Sequence, residues 1–128
     1  MFIGIDLGTS SVKMILVDHE QNILATSDSP LTVQNPKDGY SEQNPNEWIN
    51  ATLECLESLK IKKPKEFTET ISLGISGHMH GATLIDKSGD VIRPCILWND
   101  TRSHKECEEF ENQSVDVRSI SGNITMPG

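Results

Sequence analysis

The sequence predicts an α/β chain whose first three strands run antiparallel and carry packed helices. Three observations predict it. Two apolar runs, 1–6 and 12–17, flank a short stretch at 7–11 that holds Gly8, Thr9, Ser10 and Ser11. A third extended run, 23–33, follows the polar turn at 18–22. A helix start with good capping chemistry then comes after a loop at 35–44, where Asn44 caps, Pro45 fits the first helical position and Glu47 completes an N-cap-x-x-Glu box. At 128 residues the chain has the size of one domain. Such a domain buries roughly two thirds of the surface its unfolded form exposes.

The remaining elements follow in order. Trp48, Ile49, Thr52, Cys55, Leu56 and Leu59 make a helical stripe that faces the sheet. The helix ends among the lysines before Pro64, and 60–65 reads as a solvated loop. Residues 70–76 read as a buried strand, with Ile71, Leu73 and Ile75 alternating, and lead into a segment with glycines at 74, 77 and 81. Residues 82–85 and 91–92 form a hairpin pattern around 86–89. Residues 96–98 make a short buried strand or turn, and a second helix covers 103–111. The last twelve residues show no periodic element.

Composition excludes several classes. Asp and Glu outnumber Lys and Arg by 19 to 11, a formal net charge of −8, so the basic footprint of a nucleic-acid binder is missing. No run approaches the ~20 apolar residues of a membrane span, and the N-terminus is not a signal peptide. Cys55, Cys95 and Cys107 lack CxxC spacing and read as separate thiols in a reducing compartment, the cytoplasm, with Cys55 in the core. His78 and His80 form an HxH pair without a convincing third metal ligand.

Three stretches concentrate chemistry. In Asp6-Leu-Gly-Thr-Ser-Ser11, Gly8 permits a tight reversal and close approach of an anion to backbone N–H groups, while Thr9, Ser10 and Ser11 add hydroxyl donors. Asp6 can hold magnesium through its water shell, and Lys13 can neutralise a phosphate. A plain hairpin turn would carry the same residues, and Lys13 also suits a solvated sheet face. The stretch is neither a Walker A loop nor a GxGxxG turn. In Gly77-His-Met-His-Gly81, an extended chain puts His78 and His80 on one side, with Met79 available to pack on a ligand's carbons. An ordinary loop histidine remains the alternative for each. In Trp98-Asn-Asp-Thr-Arg102, a ring, Asp100 and Arg102 suit a hydroxyl-rich ligand, whereas a helix cap by Asp100 with Arg102 paired on the surface is the other reading. Glu42 and Gln43 are weaker candidates of the same kind. No side chain is a general base with a matched partner, and no adenine pocket is visible, so these are pieces of a phosphoryl-transfer site.

The segment 3–13 resembles the first phosphate motif of sugar kinases in the actin-like ATPase superfamily. Segments 40–48, 77–84, 94–102 and 121–128 resemble, in register, the carbohydrate kinase family, and within it the xylulose branch. The resemblance implies a ribonuclease-H-like fold with a mixed sheet, of which residues 1–128 are the N-terminal part of the sugar-binding domain. It implies ATP and Mg2+ as cofactors, a small sugar as partner, and phosphorylation of D-xylulose at the 5-hydroxyl. By position, Asp6, Gly8, Thr9, Ser10 and Lys13 would face magnesium and phosphate, and Met79, His80, Trp98, Asp100 and Arg102 would line the sugar side. His78 stands where such kinases often carry glutamine. The catalytic aspartate and the nucleotide-binding domain are expected beyond Gly128, so residues 1–128 alone are expected to be inactive. A homo-oligomer is compatible with the sequence. Another sugar or polyol as substrate, or a non-catalytic actin-like binding domain, are the alternatives.

Overall fold

Alternation at the N-terminus builds the main sheet. In the computed structural model, which describes residues 1–113 and 116–127, β1 (Phe2–Leu7) and β2 (Ser11–Val17) pair antiparallel, with Ile5 opposite Met14 and Asp6 opposite Lys13. Ile3, Ile5, Val12, Met14 and Leu16 share one face and are buried there. β3 (Ile23–Pro30) pairs antiparallel with β2, as expected. It stops at Pro30, not near residue 33. β2 begins at Ser11, opposite Pro30, so the ladder has no partner beyond it, and the Leu31 N–H turns to the Ser10 carbonyl at 2.9 Å.

The long helix α1 (Pro45–Lys62) starts where the capping chemistry placed it. The Asn44 side chain accepts from the Asn46 N–H, and Pro45 opens the first turn. The helix packs on β2 and β3. Its buried line is Ala51, Cys55 and Leu59, with Cys55 in the core as expected. Ile49 is exposed, contrary to the expected stripe, because it lies about 200° round the helix from Ala51. The lysine stretch is not a loop. Lys60 and Lys62 form the last turn of α1, where cations suit the helix dipole, and Pro64 opens a second short helix, α2 (Pro64–Thr68).

β5 (Ser72–Ser76) adds parallel to β1, which makes the sheet mixed, in the order β3-β2-β1-β5. It starts later than residue 70 and is exposed throughout, not buried. Leu73 and Ile75 are register partners of Ile3 and Ile5 and share their face. The helix lies over β2 and β3, however, so the edge strand beyond β1 stays uncovered within residues 1–33 and 44–78, one of two compact units of the chain.

The other unit comprises 34–43 and 79–128. Its two-stranded sheet pairs β4 (Glu42–Gln43) with β6 (Cys95–Ile96) antiparallel. The short strand thus lies one residue earlier than expected; Cys95 and Leu97 are buried and Trp98 is 50% exposed. The expected hairpin at 82–92 is a closed loop with one bridge, Ile85 to Val91. Asp86 closes it by accepting from the Ser88 and Asp90 N–H groups at 2.8 and 3.0 Å. The second expected helix is α3 (His104–Glu111). A further helix, α4 (Val117–Ser121), overturns the expectation of no regular element near the end. Five residues are too few to show a helical period, but Asp116 caps it by accepting from the Ser119 N–H and Gly122 ends it at φ 71°. All three cysteines are free. No helix among the described residues is long and apolar enough to cross a membrane.

Candidate functional site

The β1–β2 hairpin holds the predicted phosphate residues on one short stretch of backbone. Gly8 N–H donates to the Ser11 carbonyl at 3.1 Å, and a Cβ on Gly8 would lie 3.0 Å from that oxygen. The turn is therefore tight enough to need glycine. Thr9 and Ser10 occupy its tip. Asp6 is exposed, on the sheet face opposite α1, with Lys13 as its cross-strand neighbour on that face. Ser76 Oγ donates to Asp6 Oδ1 at 3.1 Å from the adjacent parallel strand. The same face carries a groove of about 460 Å3 that Asp6, Lys13 and Ser76 line; Gly4 and Gly74, register partners without side chains, also line it.

His78 lies beside this turn. Its ring centroid is 5.1 Å from that of Trp48 on α1, tilted by 35°. Burial pushes its pKa down, against the Gly8 carbonyl and the Asp6 charge, which favour the protonated form. Its Nε2 is buried without a hydrogen-bond partner. His80 does not continue the extended geometry that would set both histidines on one side, because it sits in the left-handed region at φ 63°.

In the second unit, Met79 is 63% exposed, and His80 is exposed as well. Asp100 and Arg102 are arranged differently. Asp100 is 1% exposed and its carboxylate is saturated. Oδ1 accepts from Arg102 N and Nε, both at 2.9 Å, and Oδ2 accepts from Ser41 N at 2.6 Å and Arg102 Nη2 at 2.7 Å. Arg102 Nη2 also donates to Glu42 Oε1 at 2.6 Å, and the guanidinium lies 3.8 Å over the Tyr40 ring. Asp100 therefore does not cap α3; its side chain ties the 97–102 turn to the 39–43 segment. Thr101 N–H completes the tie by donating to the Gly39 carbonyl at 2.7 Å, a contact close enough that a Cβ on Gly39 would meet Thr101 Oγ1 at 2.6 Å. Glu42 emerges as a member of this network. Tyr40, Ser41, Trp48 and Ser76 were not singled out as site residues in the sequence, because their roles depend on register and not on residue type.

Burial pushes the Asp100 carboxyl up, but the hydrogen bonds from Arg102 and Ser41 outweigh it and hold the pKa at about 2. A folded pKa below the unfolded value contributes stability above about pH 4, lost as pH falls through about 2. At about 1.4 kcal/mol per pKa unit, the contribution is about 2 kcal/mol. Acid titration of the second unit, followed by Trp98 fluorescence, should show this loss in the wild type and not in Asp100→Asn.

Among the described residues, no group of three His, Cys, Asp or Glu side chains could cage a metal ion. One exposed carboxylate, Asp6, still suits magnesium, which keeps most of its water and leans on one or two carboxylates and substrate phosphates.

Comparison with known proteins identifies the family. The FGGY family of carbohydrate kinases, N-terminal domain, matches residues 1–128. The chain is 45% identical over 128 residues to a xylulose kinase of Klebsiella pneumoniae and 44% identical to one of Escherichia coli (strain K12), covering 100% of this chain and 26% of each relative. A xyloylose kinase from Brucella ovis superposes with a TM-score of 0.92 at 47% identity over 98% of this chain and 26% of its own. A xylulose kinase from Rhodospirillum rubrum gives 0.85 at 29% identity over 91% of this chain and 24% of its own. The chain thus spans about a quarter of the length of the relatives it matches. The expected α/β, actin-like fold is borne out by these neighbours and by the mixed sheet. With its matched profile running from the first residue to the last, the chain belongs to the N-terminal domain of the FGGY family of carbohydrate kinases.

Proposed function

We propose that the intact protein carrying this chain transfers the γ-phosphoryl group of ATP to the 5-hydroxyl of D-xylulose. The observation that carries this reading is identity of 45% to a xylulose kinase along all 128 residues. In this reading, residues 1–128 belong to the sugar-binding domain, and the nucleotide-binding domain and catalytic aspartate come from the rest of the protein. The Gly8-Thr9-Ser10 turn aims backbone and hydroxyl donors at the transferring group, where charge builds up. Lys13 adds a positive charge on the Asp6 face. Asp6 would hold Mg2+ through water, and the ion, when bound, neutralises phosphate charge. Met79, His80 and Trp98 contact the sugar from exposed positions. Asp100 and Arg102 belong to the same side, and the saturation of the Asp100 carboxylate supports a role in fixing the Trp98 segment over direct sugar contact. The protein works in the cytoplasm.

An ADP-release assay tests the proposal. The intact protein is expected to turn over D-xylulose in preference to glycerol and gluconate, and residues 1–128 alone are expected to give no sugar-dependent turnover. Preference for another polyol would keep the kinase and replace the substrate. No turnover on any sugar would sink the reading in favour of a non-catalytic binding domain. Size-exclusion of the same preparation reads the homo-oligomer that the sequence allows.

A further inference from the structure

The parallel ladder of β5 with β1 ends at Asp6 with Ser76, but the two chains stay close beyond it. One residue further, Gly77 packs on Leu7 so closely that a Cβ there would lie 3.3 Å from Leu7 Cβ. The next residue, His78, then falls beside Gly8, and its ring rests on Trp48 in the first turns of α1. The imidazole so bridges the phosphate turn and the start of the helix.

We propose that His78 is a positioning residue of the phosphate turn, holding the Gly8 backbone against Trp48. The reading of this turn as a phosphate site rests on the function proposed above. A residue present for packing alone would be better served by phenylalanine, which makes the same ring contact and has no nitrogen to bury. His78 instead buries Nε2 without a partner. Buried polar groups left unpaired in native proteins are few and tend to mark function. The Gly8 backbone lies beside the ring and favours its protonated form, a polar influence that phenylalanine could not answer. A turn held in this way presents its N–H groups in a fixed geometry before the substrate arrives, which lowers the cost of reaching the transition state.

The test uses His78→Phe and His78→Gln in the intact protein. It combines amide hydrogen exchange of the 7–11 segment, thermal melting and ADP release. His78→Phe is expected to melt no lower than the wild type, while exchange in 7–11 rises about tenfold and kcat falls by about the same factor with KM for the sugar unchanged. His78→Gln, whose amide keeps a polar group beside the Gly8 backbone, is expected to recover most of the exchange protection and of kcat. Unchanged exchange in His78→Phe, no recovery in His78→Gln, or a melting loss that tracks the kinetic loss in both variants would each overturn the proposal. Exchange needs no turnover, so an inactive wild type would sink the kinase reading and leave the turn-positioning claim to be decided by exchange and melting.

Discussion

Replacing Arg102 by alanine is expected to destabilise the second unit by about 3–5 kcal/mol, the cost of removing one partner from a buried ion pair. Asp100 is 1% exposed and draws three of its four hydrogen bonds from Arg102. The backbone N–H of residue 102 survives the change, but the fork of Nε and Nη2 does not. The side chain also bonds Glu42 and covers Tyr40, so its loss frees the 39–43 segment as well. Arg102→Lys keeps the charge without the planar fork and should fall between wild type and alanine. Urea unfolding followed by Trp98 fluorescence measures the difference. A loss below about 1 kcal/mol would equate the network with an exposed surface pair and refute the account.

The second large effect concerns activity and not stability. Asp6→Asn in the intact protein is expected to lower kcat by a factor on the order of 10² to 10³, the range seen when one preorganised charge-stabilising group is removed from a transition state. Asp6 is exposed, and the hydroxyl of Ser76 can bond to an asparagine oxygen equally well. The melting temperature should therefore hold. ADP release with D-xylulose, set beside a melting curve, separates the two. A variant that loses its fold and its activity together would make Asp6 a structural residue, and one that keeps full kcat would remove it from the phosphate site.

The parts of the fold legible in the sequence were those set by local chemistry. The hairpin of β1 and β2 follows from two apolar runs around Gly8, and the start of α1 follows from Asn44 and Pro45, as the structure bears out. Position within the sheet was not legible. Ile71, Leu73 and Ile75 alternate as a buried strand would, yet burial depends on what lies over the strand, and within the sheet α1 packs mainly on β2 and β3. The same limit applies to the candidate site. The sequence singled out Asp100 and Arg102 by residue type, but a carboxylate meant for a ligand and one saturated by its neighbours look alike until Ser41 N and Glu42 are seen against them. His78 drew attention only as half of an HxH pair. Its contact with Trp48 joins residues 30 positions apart and rests on the parallel register of β5.

The pairing of β4 with β6 sets a schedule for the chain as it is made. Glu42 pairs with Ile96, 54 positions later, and at about 5–20 residues per second a ribosome needs roughly 3–10 s to supply that partner. Until then the backbone of Glu42 bonds only to Gln34, through the local pair at 2.8 and 2.9 Å. Asp100, which anchors the Ser41 N–H, emerges later still. The strands β1, β2 and β3 and the helix α1 are all synthesised within this interval or before it, so the 34–43 segment meets its partner strand only after the residues of those elements are already made.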